Sequence, residues 1–350
     1  MRVAFVSVES PREPRSEGAR RLDRFARGLA ARDHDVTVCC PRFWKWGPEH
    51  EEPPRTYDIE GVTYRSAGEG SVERALTSLP SAIRRVDPAV VHASIAPGWH
   101  PFGLALAASI SRTPVVLDWS GEPVEGPLAP RTLPSTPVLV PSRTVHTRAR
   151  ERGVDGDRLR ILPGFVEPDR VDGTDPVTGS DVVTAARLDG NADVESLLLA
   201  LRERDGACSA AVIGDGPERA RLERQAADLG LSDRVSFLGD VPTTERIARY
   251  RGARVFVECE ATSPFGQELL RALVCGCAGI AEYRVDSAAH ELVERRERGF
   301  PITDPSDLVG ALDEALAISH ATRSDRFEAY EADRVLGQLL VTYREAIERG

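Results

Sequence analysis

The chain is short of methionine, lysine and aromatic residues: its 350 residues include one methionine, a single lysine at Lys45 and 6% aromatic side chains. Arginine therefore supplies nearly all of the positive charge, and the net charge is −10. This balance argues against binding to nucleic acid through bulk positive charge. An acidic, lysine-poor composition indicates a halophilic protein, but codon bias in a GC-rich genome would also favour arginine over lysine. Both interpretations stay open.

No apolar run reaches the ~18 residues of a membrane span. The first apolar stretch is too short for the core of a signal peptide and soon reaches Glu9. The six cysteines show none of the CxxC spacing of zinc sites. We therefore expect a cytoplasmic protein with buried, reduced thiols.

Short apolar runs alternate with longer amphipathic runs along the chain, and this alternation occurs twice. Several apolar runs are continuous, which is typical of parallel strands covered by helices on both faces. The pattern predicts a doubly wound α/β fold. A Gly- and Pro-rich stretch at 163–179 is the candidate linker between two domains. The predicted strands span 2–8, 36–40, 90–93, 115–118, 138–140, 160–162, 182–186, 210–214, 235–238, 255–258 and 278–281. The predicted helices span 18–32, 72–85, 103–111, 143–152, 194–204, 217–229, 243–251, 266–274, 307–318 and 324–348.

One turn of small residues precedes an apolar helix and carries most of the functional signal. It consists of Ser263, Pro264, Phe265 and Gly266. The amino end of a helix offers unpaired backbone N–H groups and the positive end of the helix dipole. This turn is therefore suited to bind a diphosphate.

Two further features follow predicted strands in the same half of the chain. Gly214, Asp215 and Gly216 form a turn between a strand and a helix, and their glycines permit a ligand to approach closely; a plain structural turn is the alternative. Arg187 directly follows the predicted strand 182–186. An arginine at this position can bind a diphosphate through two parallel hydrogen bonds. A surface ion pair with a nearby aspartate is the alternative for Arg187.

Taken in order, these motifs resemble those of the family-4 glycosyltransferases of the GT-B type. The resemblance rests on Arg187-Leu188, on the turn from Gly214 to Glu218, on the strand that ends at Gly239, and on the turn from Ser263 to Gly266. In the first half, Gly18 resembles the glycine turn of the family. The resemblance implies two Rossmann-like domains facing a cleft. Residues 1–165, with a C-terminal helix at 325–350, would bind the acceptor, and residues 166–324 would bind the nucleotide-sugar.

The resemblance also implies a retaining, metal-independent transfer from a nucleoside-diphosphate sugar to a glycan, lipid or small-molecule acceptor. It implies no covalently bound cofactor, and contact with the inner face of a membrane is a further expectation. The donor-binding residues implied by the matched motifs lie in both halves of the chain. They are Gly18, Asn191, Gly214, Asp215, Gly216, Ser263, Pro264, Phe265, Gly266 and Arg271.

The sequence departs from the family pattern at four positions. Asn191 stands where the family has a lysine, and Ser263 and Arg271 stand where it has two glutamates. Ser120 takes the place of a histidine. Glu268 lies one turn before Arg271, so it is a candidate for the missing carboxylate, with a plain ion pair as the alternative. Arg271 itself suggests an anionic donor sugar such as a uronic acid.

Further candidates lie in the first half of the chain. With Arg187 and Glu268, we expect Asp118 to take part in catalysis, as a base or a polar acceptor contact, unless it only caps a turn; Glu122 is an alternative for the same role. His92, Trp119 and Ser120 are expected to contact the acceptor, as are Trp99 and His100, although a core histidine is the alternative for His92.

Three functions therefore stay open. The first is a sugar transferase, and the second is a weakened or inactive homologue that acts as a binding protein, because the usual acids are missing. The third is another nucleotide-sugar enzyme on the same fold, such as an epimerase or a phosphorylase.

Overall fold

The computed structural model describes residues 1–7, 9, 16–40, 56–66, 72–95, 113–123, 136–324 and 326–349, with 72–77 described by their backbone alone. The chain divides into two compact units, Met1–Pro163 with Asp333–Gly350, and Gly164–Ala332. Each unit contains one mostly or fully parallel sheet with helices. This architecture confirms the predicted fold class. The predicted helix at 103–111, and Trp99 and His100, lie outside the described residues.

The first unit contains an eight-stranded sheet in the order β3-β4-β2-β1-β5-β6-β7-β8, parallel except where β3 pairs with β4. Its strands are β1 Arg2–Val6, β2 Asp35–Cys40, β3 Thr56–Ile59, β4 Val62–Ser66, β5 Val90–Ile95, β6 Val115–Trp119, β7 Val138–Val140 and β8 Leu159–Ile161. The helices among its first 163 residues include α1 Glu17–Ala30, α2 Val72–Val86 and α3 Arg143–Glu151.

Helix α1 shows how local sequence sets these elements. Ser16 caps it by accepting a hydrogen bond from the Ala19 amide at 3.1 Å, which satisfies one otherwise unpaired donor. Leu22, Phe25 and Leu29 are spaced at three and four residues and are buried, so one stripe of the helix faces the core.

The second unit contains a six-stranded parallel sheet in the order β11-β10-β9-β12-β13-β14. Its strands are β9 Val182–Ala185, β10 Ala210–Ile213, β11 Val235–Gly239, β12 Val255–Val257, β13 Ala278–Glu282 and β14 Gly299–Ile302. Its helices are α4 Pro168–Asp172, α5 Val194–Glu203, α6 Arg219–Asp228, α7 Thr243–Gly252, α8 Gln267–Val274, α9 His290–Val293 and α10 Leu308–Ala317.

Both faces of this second sheet are covered. Val182 belongs to one buried apolar cluster, while the next residue, Val183, belongs to another. Because successive side chains of a strand point to opposite faces, the continuous apolar run buries both sides at once. This is the physical reason that these strands could be predicted.

The Gly- and Pro-rich stretch 163–179, predicted as the linker between two domains, begins where the two units divide, and its later residues pack within the second unit. The division between the units falls between Pro163 and Gly164. Val166 exchanges backbone hydrogen bonds with Tyr330 and Ala332, and the Val177 amide donates to the Ala248 carbonyl at 2.8 Å. The stretch is therefore built into the second unit. The last helix, α11 Ala332–Arg349, belongs almost entirely to the first unit.

The strand orders place one topological switch point in each unit. In the first unit the order reverses between β1 and β5, and in the second between β9 and β12. Ligands of open α/β sheets bind at the carboxyl ends of the strands that flank such a reversal. These two switch points are therefore the expected positions of ligand sites.

Candidate functional site

The switch point of the second unit brings together the loops singled out in its sequence. Arg187 follows β9, and the turn from Ser263 to Gly266 follows β12, the neighbouring strand. The turn from Gly214 to Gly216 follows β10, on the other side of β9. Three loops that are distant in sequence thus meet at one edge of the sheet.

The turn from Ser263 to Gly266 is held firmly by its neighbours. The Ser263 carbonyl accepts a hydrogen bond from the Ala288 amide at 2.7 Å, and the Phe265 ring packs against Tyr330 with centroids 5.9 Å apart. Gly266 directly precedes α8 with a φ of +82°, a conformation that glycine adopts without strain. Within the described part of the chain no side chain caps this helix. Its first N–H groups are therefore available to an anion.

Arg187 is an exposed positive charge at this edge. Its side chain is 65% exposed and pairs with Asp189 at 3.1 Å. An exposed pair of this kind contributes little to stability, so the guanidinium is free to exchange Asp189 for a phosphate at small cost.

Asn191 has a different role from the one expected. Its side-chain Oδ1 accepts from the Thr262 amide at 2.8 Å, and its Nδ2 donates to the Thr262 carbonyl at 3.3 Å. The side chain therefore ties the loop after β9 to the residue before Ser263. Asn191 positions the turn, and both ends of its amide are already engaged.

The glycines after β10 are required by backbone packing. Gly214 has a φ of +123°, and a Cβ there would lie 1.9 Å from the Ala186 carbonyl oxygen. A Cβ on Gly216 would lie 2.1 Å from the Leu188 carbonyl oxygen. Asp215 is exposed and pairs with Arg219 at 3.2 Å. The turn thus fixes the strand end that carries Arg187.

Gly214→Ala should therefore destabilise the protein by at least about 1–3 kcal/mol, because the new methyl group has no space and the backbone is strained. Urea unfolding followed by circular dichroism measures the effect. Gly190→Ala is the matched control, since a Cβ there meets no atom within 4 Å. Equal unfolding midpoints for the two variants would contradict this account.

Glu268 and Arg271 form the centre of a partly buried charge cluster with α7. Arg271 donates to Glu268 Oε1, Tyr250 donates to Glu268 Oε2 at 2.7 Å, and Arg246 approaches Oε1 at 3.6 Å. Burial alone would raise the pKa of Glu268, but Arg271 and Arg246 lower it to about 2. The carboxylate is therefore ionised, and it compensates the charge that Arg271 brings.

Sequence reasoning missed Glu258, which directly follows β12. Burial raises the pKa of this carboxyl to about 7. It lines a small cavity of about 20 Å³, together with Asp193, Glu282 and Arg284. The sequence signal that could have identified Glu258 is its position directly after the apolar run of β12.

In the first unit, the residues expected to act on the acceptor are mostly buried. The single N–H at Arg21 Nε donates a bifurcated hydrogen bond to both Asp118 carboxylate oxygens, at 2.9 and 3.0 Å. His92 Nε2 lies 3.3 Å from Asp118 Oδ2, and His92 Nδ1 lies 2.7 Å from the Tyr343 hydroxyl of α11. Burial would raise the pKa of Asp118, but Arg21 and His92 hold it below its ordinary value.

These positions correct two expectations. His92 and Trp119 have no exposed surface, and the Trp119 indole donates inward to the Glu122 carbonyl at 2.8 Å. The carboxylate of Asp118 is engaged in a buried ion pair with Arg21. These three residues therefore hold the first unit together and have no face to offer to an acceptor.

The switch point of the first unit is marked by Gly18, Ser120 and Glu122. Glu122 Oε1 accepts a hydrogen bond from the Glu17 amide at 2.8 Å, at the amino end of α1. Ser120 is buried, and its hydroxyl has no hydrogen-bond partner among the described residues. Gly18 lies directly beside both side chains.

No group of histidine, cysteine, aspartate and glutamate side chains in the described ranges could hold a metal ion. Of the helices that the structure describes, none combines the length and the apolar character needed to cross a membrane.

Two Rossmann-like domains, each built on a mostly or fully parallel sheet, have the architecture of the GT-B fold. The model of Glycosyltransferase Family 4 matches residues 18–170, and the model of Glycosyl transferases group 1 matches residues 167–332. The chain belongs to this group 1, family 4 of glycosyltransferases, as the sequence motifs predicted.

A curated relative is the exopolysaccharide phosphotransferase SCO2592 of Streptomyces coelicolor (strain ATCC BAA-471 / A3(2) / M145), which is 26% identical over 225 residues. The match covers 61% of this chain but 23% of that protein, so the chain spans less than a quarter of its length.

Two solved structures show the same fold over 98% or more of both chains. The sucrose-phosphate synthase (tll1590) of Thermosynechococcus elongatus has a TM-score of 0.75 at 18% identity, covering 99% of each chain. Anabaena Alr3699/HepE in complex with UDP and glucose has a TM-score of 0.73 at 15% identity, covering 98% of this chain and 99% of that one.

Proposed function

We propose that this chain transfers a hexose from a uridine diphosphate sugar to a hydroxyl group of a glycan, a lipid-linked sugar or a small molecule. Anomeric retention and independence from metal are part of the proposal. One observation carries it: the uncapped amino end of α8 and the exposed Arg187 flank the switch point of the second unit.

These two groups supply the chemistry that departure of a diphosphate needs. Backbone N–H groups at a helix end and a planar guanidinium both donate hydrogen bonds to phosphate oxygens. The helix N–H groups are fixed in advance by the backbone, and together with the Arg187 guanidinium they stabilise negative charge as it develops on the leaving group. We assign donor binding to the second unit, and Arg187 to charge stabilisation.

The identity of the donor and the acceptor is inferred from relatives. Anabaena HepE is solved with UDP and glucose, which supports a uridine donor for this chain. The exopolysaccharide relative supports a glycan acceptor. A cytoplasmic location, contact with the inner membrane face and halophilic adaptation stay predictions.

We assign to Glu268 the role of the carboxylate that the family has and this chain lacks. It is ionised, and 24% of its side chain is exposed. We assign it to hydrogen bonds with ribose hydroxyls, with Arg246 and Arg271 orienting it. The short Ser263 side chain, which is 3% exposed, leaves contact with the donor to the backbone of its turn.

The pairing of Arg271 has a consequence for the choice of donor. Since Glu268 compensates its charge, Arg271 should not select an anionic sugar. We expect UDP-glucuronic acid to bind no more tightly than UDP-glucose, as measured by calorimetry. Tighter binding of the uronic acid that is lost in Arg271→Ala would show that the guanidinium recognises a donor carboxylate after all.

Two measurements test the proposed function. Calorimetry with UDP, GDP and ADP should show binding of UDP, and UDP-glucose should release UDP in the presence of EDTA. Absence of nucleotide binding would overturn the proposal. The loss of two acids at Ser263 and Arg271 favours a binding protein as the second candidate. Nucleotide binding without any release of UDP, across a panel of sugar acceptors, would favour that candidate.

A further inference from the structure

An ion pair crosses the end of β12 in the second unit. Arg284 Nη2 lies 2.6 Å from Asp193 Oδ2 and 2.6 Å from Glu282 Oε2. Asp193 belongs to the segment that follows β9, and Arg284 belongs to the segment that follows β13. Because β12 lies between β9 and β13 in the sheet, the two side chains meet across its carboxyl end. Glu258, the first residue after β12, lines the same small cavity as these three residues.

Glu258 is a carboxyl group without a cation of its own. It makes no ion pair with any residue that the structure describes, and its Oε1 accepts a hydrogen bond from the Glu260 amide at 3.0 Å. Arg284, the cation beside the cavity, is already engaged with two other carboxylates. Burial therefore prevails and raises the pKa of Glu258 to about 7. The group changes its charge around neutral pH, whereas an ordinary glutamate does so at about pH 4.

The titratable and charged groups around Glu258 come from several neighbouring elements. Apart from the adjacent thiol they are Asp193, Glu268, Glu282 and Arg284. The thiol of Cys259 stays protonated, because burial raises its pKa to about 12. The residues of β14 and α10 on the same cavity, Ile302 and Leu308, are apolar. Loss of the proton from Glu258 therefore places a third carboxylate around a single arginine.

The backbone ties Glu258 to both loops at which we place the diphosphate. The Asp193 amide donates to the Cys259 carbonyl at 2.8 Å, and the Ala261 amide donates to the Asn191 carbonyl at 2.8 Å. The loop after β9 and the loop after β12 thus form a short antiparallel bridge. Glu258 directly precedes this bridge, so neither loop can move away from its carboxyl group without breaking these hydrogen bonds.

The charge of Glu258 acts on the amino end of α8. Glu258 and Glu268 interact electrostatically, and Glu268 lies in the first turn of α8, which no described side chain caps. A carboxylate at Glu258 opposes the positive end of the helix dipole and repels a phosphate bound there. Binding of a diphosphate thus favours the protonated form of Glu258, and by linkage a proton on Glu258 favours binding of the diphosphate.

We propose that Glu258 controls the affinity for the donor, and that the nucleotide-sugar binds with uptake of a proton at this carboxyl group. The inference rests on the proposed function and adds to it a dependence of donor affinity on pH. The proton comes from the solvent and remains on Glu258 while the donor is bound. Below neutral pH the neutral carboxyl leaves the amino end of α8 fully attractive to the diphosphate. Above neutral pH the carboxylate weakens that attraction.

The test measures the Kd for UDP-glucose by calorimetry at pH 6 and pH 8, on either side of the pKa of about 7. Both phosphates of this donor are esterified, so its own charge stays constant over that range. We expect the Kd to rise about three- to tenfold from pH 6 to pH 8. At pH 7, titrations in buffers of different ionisation enthalpy should show uptake of a fraction of one proton.

Glu258→Gln separates the charge of the side chain from its shape. At pH 6 the variant should bind UDP-glucose within about twofold of the unmodified chain, since both carry a neutral group there. At pH 8 it should bind the donor about three- to tenfold more tightly than the unmodified chain and take up no proton. Damage to the fold would not produce such a gain in affinity. Glu195→Gln removes an exposed carboxylate on α5, and this matched control should keep the pH dependence of the unmodified chain.

Three results would overturn the inference. The first is an equal Kd at pH 6 and pH 8, and the second is a Glu258→Gln variant that keeps the pH dependence or the uptake of a proton. The third is weaker binding by this variant at pH 6, which would show that Glu258 acts through hydrogen bonds of its carboxyl group and not through its charge. If UDP-glucose bound the unmodified chain at neither pH, the proposed function would be overturned instead.

Discussion

Arg187→Ala should lower kcat/KM for turnover of UDP-glucose by about a hundred- to a thousandfold, which is the usual loss when one fixed donor to a developing negative charge is removed. The guanidinium follows β9 at the switch point, beside the loop that begins α8. Its positive charge has no substitute from a lysine, since Asn191 stands four residues later and is tied to Thr262. The measurement is the rate of UDP release under steady-state conditions.

The same substitution should leave the fold unchanged. Arg187 is 65% exposed and pairs with Asp189, and a pair of this kind contributes about 0–1 kcal/mol. Arg187→Lys should recover part of the rate, because it restores the charge but not the two parallel hydrogen bonds of a guanidinium.

Arg221→Ala provides a matched control in the same unit. Arg221 lies on α6 and is 48% exposed, and it pairs with Glu195 and Glu218. Its removal should leave UDP release within twofold of the unmodified rate. If Arg187→Ala were as active as Arg221→Ala, charge stabilisation by Arg187 would be excluded.

The strands could be predicted from the sequence where every residue of the strand is buried and the apolar run is therefore uninterrupted. β9, β10 and β12 are short apolar runs covered on both faces, and their sequences show this directly. The hairpin of β3 and β4 was missed, because its strands are half-buried and alternate polar with apolar residues. β14 was also missed, since it lies at the edge of its sheet and contains Pro301, which is tolerated there but reads as a strand breaker.

The three loops at the switch point of the second unit were predicted for the same local reasons, since their motifs are contiguous and follow strands. The contacts in the first unit could not be predicted in that way. Arg21 and Asp118 are 97 residues apart, and the Glu17 amide and Glu122 are 105 apart. No local pattern links such pairs, because they meet only when the strand order brings β6 close to α1. Asp118 was predicted to be catalytic because the sequence does not show its long-range ion pair with Arg21, which holds it in the interior.

Asp118→Asn should destabilise the first unit by about 3–5 kcal/mol, because it removes one partner of a buried ion pair and leaves the other charge without compensation. The Arg21 side chain is 3% exposed and that of Asp118 is 5% exposed. Arg21 also donates to the Leu162 carbonyl at 2.6 Å. An unpaired Arg21 would therefore disturb the end of the first unit as well as α1. All four tryptophans lie within residues 1–163, so tryptophan fluorescence during urea unfolding reports on this unit.

Asp35→Asn is the control for this prediction. Asp35 makes an ion pair with Arg2 in the same unit, but its side chain is 62% exposed. Water compensates exposed charges, so this variant should lose no more than about 1 kcal/mol. Equal unfolding midpoints for the two variants would show that the buried pair contributes no more than a surface pair.

The pH dependence of the same difference separates loss of charge from loss of packing. The pKa of Asp118 is lowered in the folded chain, and its unfolded value is about 3.9. A group with a depressed folded pKa contributes its stability above the unfolded pKa and loses it as the pH falls through the folded one. The free energies of unfolding of the unmodified chain and of Asp118→Asn should therefore differ fully at pH 7 and converge below about pH 4. A difference that stayed constant down to the acid limit would mean that Asp118 stabilises the unit through its shape and hydrogen bonds, and that its charge is not what holds Arg21 in the interior.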